Sequence, residues 1–144
     1  MLFRSLAVNS NLAPLYSVRS IAETSLGRFE QAKSDLRQAM RLSPRDPKIR
    51  LWQMQLGIPE LEQGHYDAAI DEFHKAIEAG YRQFVPYAML AAAYALNGKM
   101  DDAKSALAEA RRLNPNLTVK WFIEHSPNFP RVFEGVRKAG LPEE

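Results

Sequence analysis

Three histidines, two acidic pairs and one arginine pair are the candidates for chemistry in this chain. A metal site needs imidazole or carboxylate ligands that converge on one point. His65 and His74 stand nine residues apart, a spacing that does not put them on neighbouring turns of one helix face, and His125 is remote from both. They read as surface histidines, His65 in a turn and His74 facing solvent beside Phe73. Asp71-Glu72 and Asp101-Asp102 fall near helix starts, where the helix dipole favours acids; general acid–base work would need them aimed at one reacting centre. Arg111-Arg112 falls in a last helical turn, where cations suit the dipole. With no cysteine, thiolate catalysis, disulfides and cysteine zinc sites are excluded, and the isolated glycines form no phosphate-binding loop. The expectation is therefore no catalytic residue, no cofactor and no metal ligand.

Composition points the same way. The 144 residues are enough for one domain with a sizeable core, and 46% hydrophobic with 25% charged residues is ordinary for a globular protein. A net charge of +2, with both signs interspersed, gives no basic field of the kind nucleic-acid binding uses. The apolar run in residues 1–8 is interrupted by Arg4 and is too short for a usual signal-peptide core. No stretch reaches the length of a membrane span. A cytoplasmic protein with no nucleic-acid or membrane partner is the expectation.

The elements that would position any site come from an internal repeat. Gly27, Gly64 and Gly98 are spaced 37 and 34 residues apart, each within a similar tetrapeptide. Seven residues before them stand the small residues Ser20, Gly57 and Ala91. Five residues after stand Ala32, Ala69 and Ala103, then the large Leu36, Phe73 and Leu107, then Ala39, Ala76 and Ala110. Glycine accepts the left-handed backbone that ends a helix, small residues let two helices approach, and a large residue fills the adjacent hole. Pro44 and Pro115 stop the second helices of two units. The pattern predicts helices over 13–26, 29–42, 48–63, 66–79, 84–97 and 100–113. Asp46 and Pro47 are expected to cap and open the third, and Pro59 to kink it.

This register resembles the tetratricopeptide repeat, whose period is 34 residues. The resemblance covers 13–46, 50–83 and 84–117 and implies an all-α fold, an α-solenoid of helical hairpins with a helical C-terminal cap. Arg19, Glu23 and Glu60 depart from it, standing where the family has large apolar or aromatic residues. Residues 1–12 read either as the tail of a preceding repeat, in a longer protein, or as an N-terminal cap. In the first case Leu2, Phe3 and Leu6 would form an apolar N-terminal edge open to self-association. Residues 118–144 read as two short helices that cap the last repeat or enter the module's own groove. The last hundred residues are similar to the C-terminal repeat region of a bacterial multidomain group that joins such repeats to nucleotide-cyclase-like or winged-helix domains.

By that resemblance the first helices of the hairpins line a concave face, here Val18, Ile21, Leu51, Met54, Gln55, Ile58, Val85, Met89 and Ala92, with Ser17 and Ala88 beside them. No cation stands where the best-known groove of the family grips a peptide carboxylate. Two methionines in an apolar groove suit an apolar or helical protein segment. The implied function is protein–protein interaction, as a regulatory or scaffold part of a bacterial signalling protein. The alternative is a structural or dimerisation module of a parent nucleotide-cyclase-like enzyme. The remaining reading is that these residues simply pack against one another.

Overall fold

The structure is a computed structural model that describes residues 12–144. Among the described residues there are eight helices: α1 (Ala13–Ser25), α2 (Phe29–Leu42), α3 (Ile49–Glu62), α4 (Tyr66–Glu78), α5 (Phe84–Leu96), α6 (Met100–Leu113), α7 (Val119–His125) and α8 (Pro130–Ala139). The first six lie within one residue of the expected spans. The expected N-terminal edge, with Leu2, Phe3 and Leu6, lies outside the described residues.

α1 packs on α2, α3 on α4 and α5 on α6, and each hairpin stacks on the next through α2–α3 and α4–α5. The hairpin turn is built the same way three times. Gly64 takes φ 87°, and the His65 N–H donates back to the Glu60 carbonyl at 2.8 Å. Arg28 and Lys99 repeat that bond to Glu23 and Tyr94. Such a six-to-one bond closes a helix end with its carbonyls satisfied, and the left-handed residue it requires is cheapest as glycine. Between the helices, the small–large pairing is literal at Gly57, where an added Cβ would collide with the Phe73 ring.

One detail differs from expectation. α3 opens at Ile49 rather than beside Pro47. The Asp46 carboxylate accepts the Lys48 N–H at 2.8 Å and its carbonyl accepts the Ile49 N–H at 3.0 Å, so Asp46 stabilises a preceding turn instead of the helix end. α3 also stays helical through Pro59, which is buried.

The main core joins the second and third hairpins to the C-terminal helices, and a smaller cluster around Trp52, Leu36 and Leu56 ties the first hairpin on. α8 packs chiefly on α5, with further contacts to α3, α6 and α7. Its Gly135 meets Ala92 so closely that an added Cβ would stand 2.6 Å from the Ala92 Cβ and 2.8 Å from its backbone. The N-terminus of α8 is held by Glu62, whose carboxylate accepts the Arg131 N–H at 3.3 Å and the Val132 N–H at 2.8 Å. The end of the chain is pinned too, since Val119 and Lys120 donate to the carbonyls of Pro142 and Glu143.

Candidate functional site

α8 and the α7–α8 connection lie over the face that the first helices present, and this decides what remains of the groove. Ala92 is fully covered, with Gly135 against it. Leu51 is half-buried between the two core clusters. Val18 is 65% exposed and lies, with Leu15 at 62%, on the open side of α1. The other six expected groove residues converge. Ile21, Met54, Gln55, Ile58, Val85 and Met89 line one pocket of about 170 Å³.

Its opposite wall comes from the C-terminal segment, which the sequence offered as a cap or as a tail entering the groove: Trp121, Phe122, His125, Ser126, Pro127 and Phe129. Thr118 positions this wall by accepting the Trp121 N–H at 3.1 Å, which caps α7. Trp121 then meets Phe84 edge-on at 5.2 Å and stacks on His125 at 4.5 Å. The His125 Nδ1 lies 2.8 Å from the Trp121 carbonyl and therefore donates to it, which fixes the ring. The pocket is thus apolar and aromatic, with methionines in its base.

One buried polar side chain faces it. Gln55 is 8% exposed and lines the pocket. The Ser17 hydroxyl, itself buried, donates to Gln55 Oε1 at 2.7 Å. That bond ties α1 to α3 beside the pocket.

The departures at Arg19, Glu23 and Glu60 form a second constellation, away from the pocket. Arg19 donates to both oxygens of Asp35, at 2.6 and 2.7 Å, and lies 3.6 Å from Glu23. Lys33 bridges Glu30 and Glu60 at 2.8 and 2.6 Å, and His65 joins Glu60 at 3.0 Å. The hydrogen bond from Arg19 holds the Asp35 carboxyl below its ordinary range. Burial pushes the Glu23 carboxyl up, and a hydrogen bond to Asp35 adds to the rise. Burial opposes the charge on Lys33, yet its bonds to Glu30 and Glu60 prevail and raise its pKa. Burial likewise raises Glu62, against the pull of the two N–H groups it accepts. The pairs join α1 to α2 and α2 to α3, so they clamp the first hairpin to the second. They are aimed at one another rather than at a cleft where a substrate would sit.

The histidines stay apart. His74 is exposed, as expected, but its Nε2 sits 2.9 Å from the Tyr94 hydroxyl. No group of three or more His, Asp or Glu among the described residues is placed to hold a metal. No helix among them is long and apolar enough to cross a membrane.

A family model described as tetratricopeptide repeat matches residues 13–46 and 86–117. The first and third hairpins therefore carry this repeat, which generally mediates protein–protein interaction and is typically non-catalytic. No curated protein matches the chain.

Proposed function

We propose that this chain binds an apolar segment of a partner protein in the pocket between α1, α3, α5 and the α7–α8 connection. The carrying observation is the pocket itself: six groove positions of three successive first helices converge there and are met by an aromatic wall. Because α8 occupies the rest of the concave face, the segment enters as a short insertion rather than a long helix. The proposal extends to a cytoplasmic regulatory or scaffold role in a bacterial signalling protein.

Peptide selection on the purified chain tests this, with Ile21→Glu/Val85→Glu as the counter-screen. These two residues are half-buried at the pocket, whereas Met54 and Met89 are 4% and 3% exposed, and glutamates there would damage the fold itself. Selected apolar peptides should lose binding to the double variant while its helicity is kept. Peptides that bind both proteins equally would reject the pocket.

The second reading, self-association of a structural module, is favoured by one feature. Leu15, Val18 and Leu26 are exposed, and Leu12, Leu15, Tyr16 and Arg19 frame a hollow of about 170 Å³ on α1. Sedimentation over a wide concentration range separates the two readings. A dimer lost on Leu15→Glu/Val18→Glu would support the second.

A further inference from the structure

One face of α1 is open where the same face of the other first helices is buried. Twelve and eight residues before the hairpin glycines stand Leu15 and Arg19 in α1, Trp52 and Leu56 in α3, and Pro86 and Leu90 in α5. The four residues of α3 and α5 are buried. In the α2–α3 stack Trp52 and Leu56 join Leu36, Ala39 and Met40 of the preceding second helix in one cluster. No second helix precedes α1 among the described residues. Leu15 is accordingly exposed, the Arg19 side chain is more than half in solvent, and with Leu12 and Tyr16 they frame the hollow of about 170 Å³.

Residues 1–11 lie outside the described residues and run straight into this face. α1 and α5 both start fourteen residues before their glycine, at Ala13 and Phe84, so the chain entering each can be compared step for step. Phe73, Ala76 and Ile77 of α4 stand thirteen, ten and nine residues before Pro86. The same steps back from Leu15 reach Leu2, Ser5 and Leu6, again large, small and large. Gly80, just past the end of α4 at φ 106°, falls at Asn9, and asparagine is the usual second choice for a left-handed helix end. Phe3 and Arg4 fall at His74 and Lys75, both exposed.

We infer that residues 2–8 dock on the open face of α1 as a short helix, in the place α4 holds on α5, with Leu2 and Leu6 against Leu15. The chain thereby covers its own first hairpin. This segment is favoured over a second copy because its tether already has the right length, and a tethered segment meets its face at an effective concentration in the millimolar range. The inference is independent of the pocket under α7, and the two fail separately.

A helix this short does not hold in water alone, so protection of its amides reports docking. Amide exchange at residues 6–9 is followed by NMR on the whole chain, with its mass by sedimentation. The expected result is exchange roughly tenfold or more slower than in an unstructured chain, at every protein concentration and in a monomer. Leu6→Glu and, from the other side of the contact, Leu15→Glu should each return residues 6–9 to the unstructured rate while α5 keeps its protection. Phe3→Glu should leave the protection in place, although it removes the larger apolar side chain. Unprotected amides in the wild type overturn the inference. Protection that appears only as a dimer forms also overturns it and gives the face to a second copy. Protection that survives Leu15→Glu places the segment elsewhere, and equal loss in Phe3→Glu and Leu6→Glu shows apolar contact without this register; either result overturns it too.

Discussion

Replacing Glu23 with glutamine should stabilise this protein at neutral pH. Glu23 is 8% exposed, sits beside Asp35, and keeps one carboxylate oxygen buried with no hydrogen-bond partner. Burial raises its pKa, and contact with Asp35 raises it further. A group whose folded pKa lies above its unfolded value favours the native state fully only below the unfolded value. That contribution is lost as pH rises through the folded pKa. At pH 7 the native chain therefore bears the cost of a second buried anion beside Asp35, with Arg19 as the shared counter-charge. Glutamine copies the protonated acid: its amide can donate to Asp35 and it carries no charge. A buried polar atom left unpaired costs about 1–3 kcal/mol. Glutamine recovers part of that, so the gain should be about 1 kcal/mol, or a Tm rise of about 2–4 °C for a chain of this size. The assay is thermal and urea denaturation of both proteins from pH 4 to 8. The gain should be present at pH 7 and shrink as pH falls, because wild-type Glu23 takes up its own proton there. A gain that is the same at every pH, or a loss of stability at pH 7, would refute the reasoning.

Other perturbations test the fold around this network and around the tail. Arg19→Ala removes the counter-charge of two buried acids and should cost about 1–3 kcal/mol, below the full price of a buried pair because Arg19 is itself half exposed; urea midpoints at pH 7 check it, and the loss should shrink in acid. Gly57→Ala drives a methyl group into the Phe73 ring and should cost about 1–3 kcal/mol, with partial recovery when Phe73→Leu is added, read by a double-mutant cycle. Glu62→Ala leaves two N–H groups of α8 without an acceptor and should cost about 1 kcal/mol. Hydrogen exchange at Arg131 and Val132 should quicken in that variant, and unchanged exchange would show that Glu62 does not hold the helix. Gly135→Val cannot keep the approach to Ala92, so α8 should lift and protease cleavage in residues 126–130 should speed up.

The helices were legible because their signals are local. Gly27, Gly64 and Gly98 set the register, and the small–large pairs follow within a dozen residues. The polar clamp was half legible. Arg19 and Glu23 stand out as lost matches to the repeat, while their partner Asp35 lies across the hairpin turn. Arg19 and Asp35 each stand eight residues from Gly27, so an antiparallel hairpin about that glycine brings them face to face. The Asp46 error has a local cause as well: an aspartate before proline serves a turn as readily as a helix end. That the C-terminal segment could enter the groove was legible, but which of its aromatic side chains meet the first helices was not. The Glu62–Val132 bond spans seventy residues, and no local pattern fixes such a docking.

One line of the sequence nevertheless demanded a cover for the groove. α5 reads Phe-Val-Pro-Tyr-Ala-Met-Leu-Ala-Ala-Ala-Tyr-Ala-Leu, with no charged residue and no polar stripe. A helix apolar all round must be buried all round. Neighbours in the stack, α4 and α6, cover only two sides. The third side is the concave face, and α8 fills it with Val132, Val136 and Ala139, all buried, while Gly135 lets the two backbones approach. α1 is built oppositely: it buries Ser17, Ser20, Glu23 and Thr24 and leaves Leu15 and Val18 in solvent. The module therefore runs from a polar first hairpin to an apolar third one, and its own tail covers only the apolar end. The pocket lies at the join, where the cover stops and Gln55 and Ser17 bring the first polar atoms. A partner segment bound there would complete a face that the described residues cover only in part.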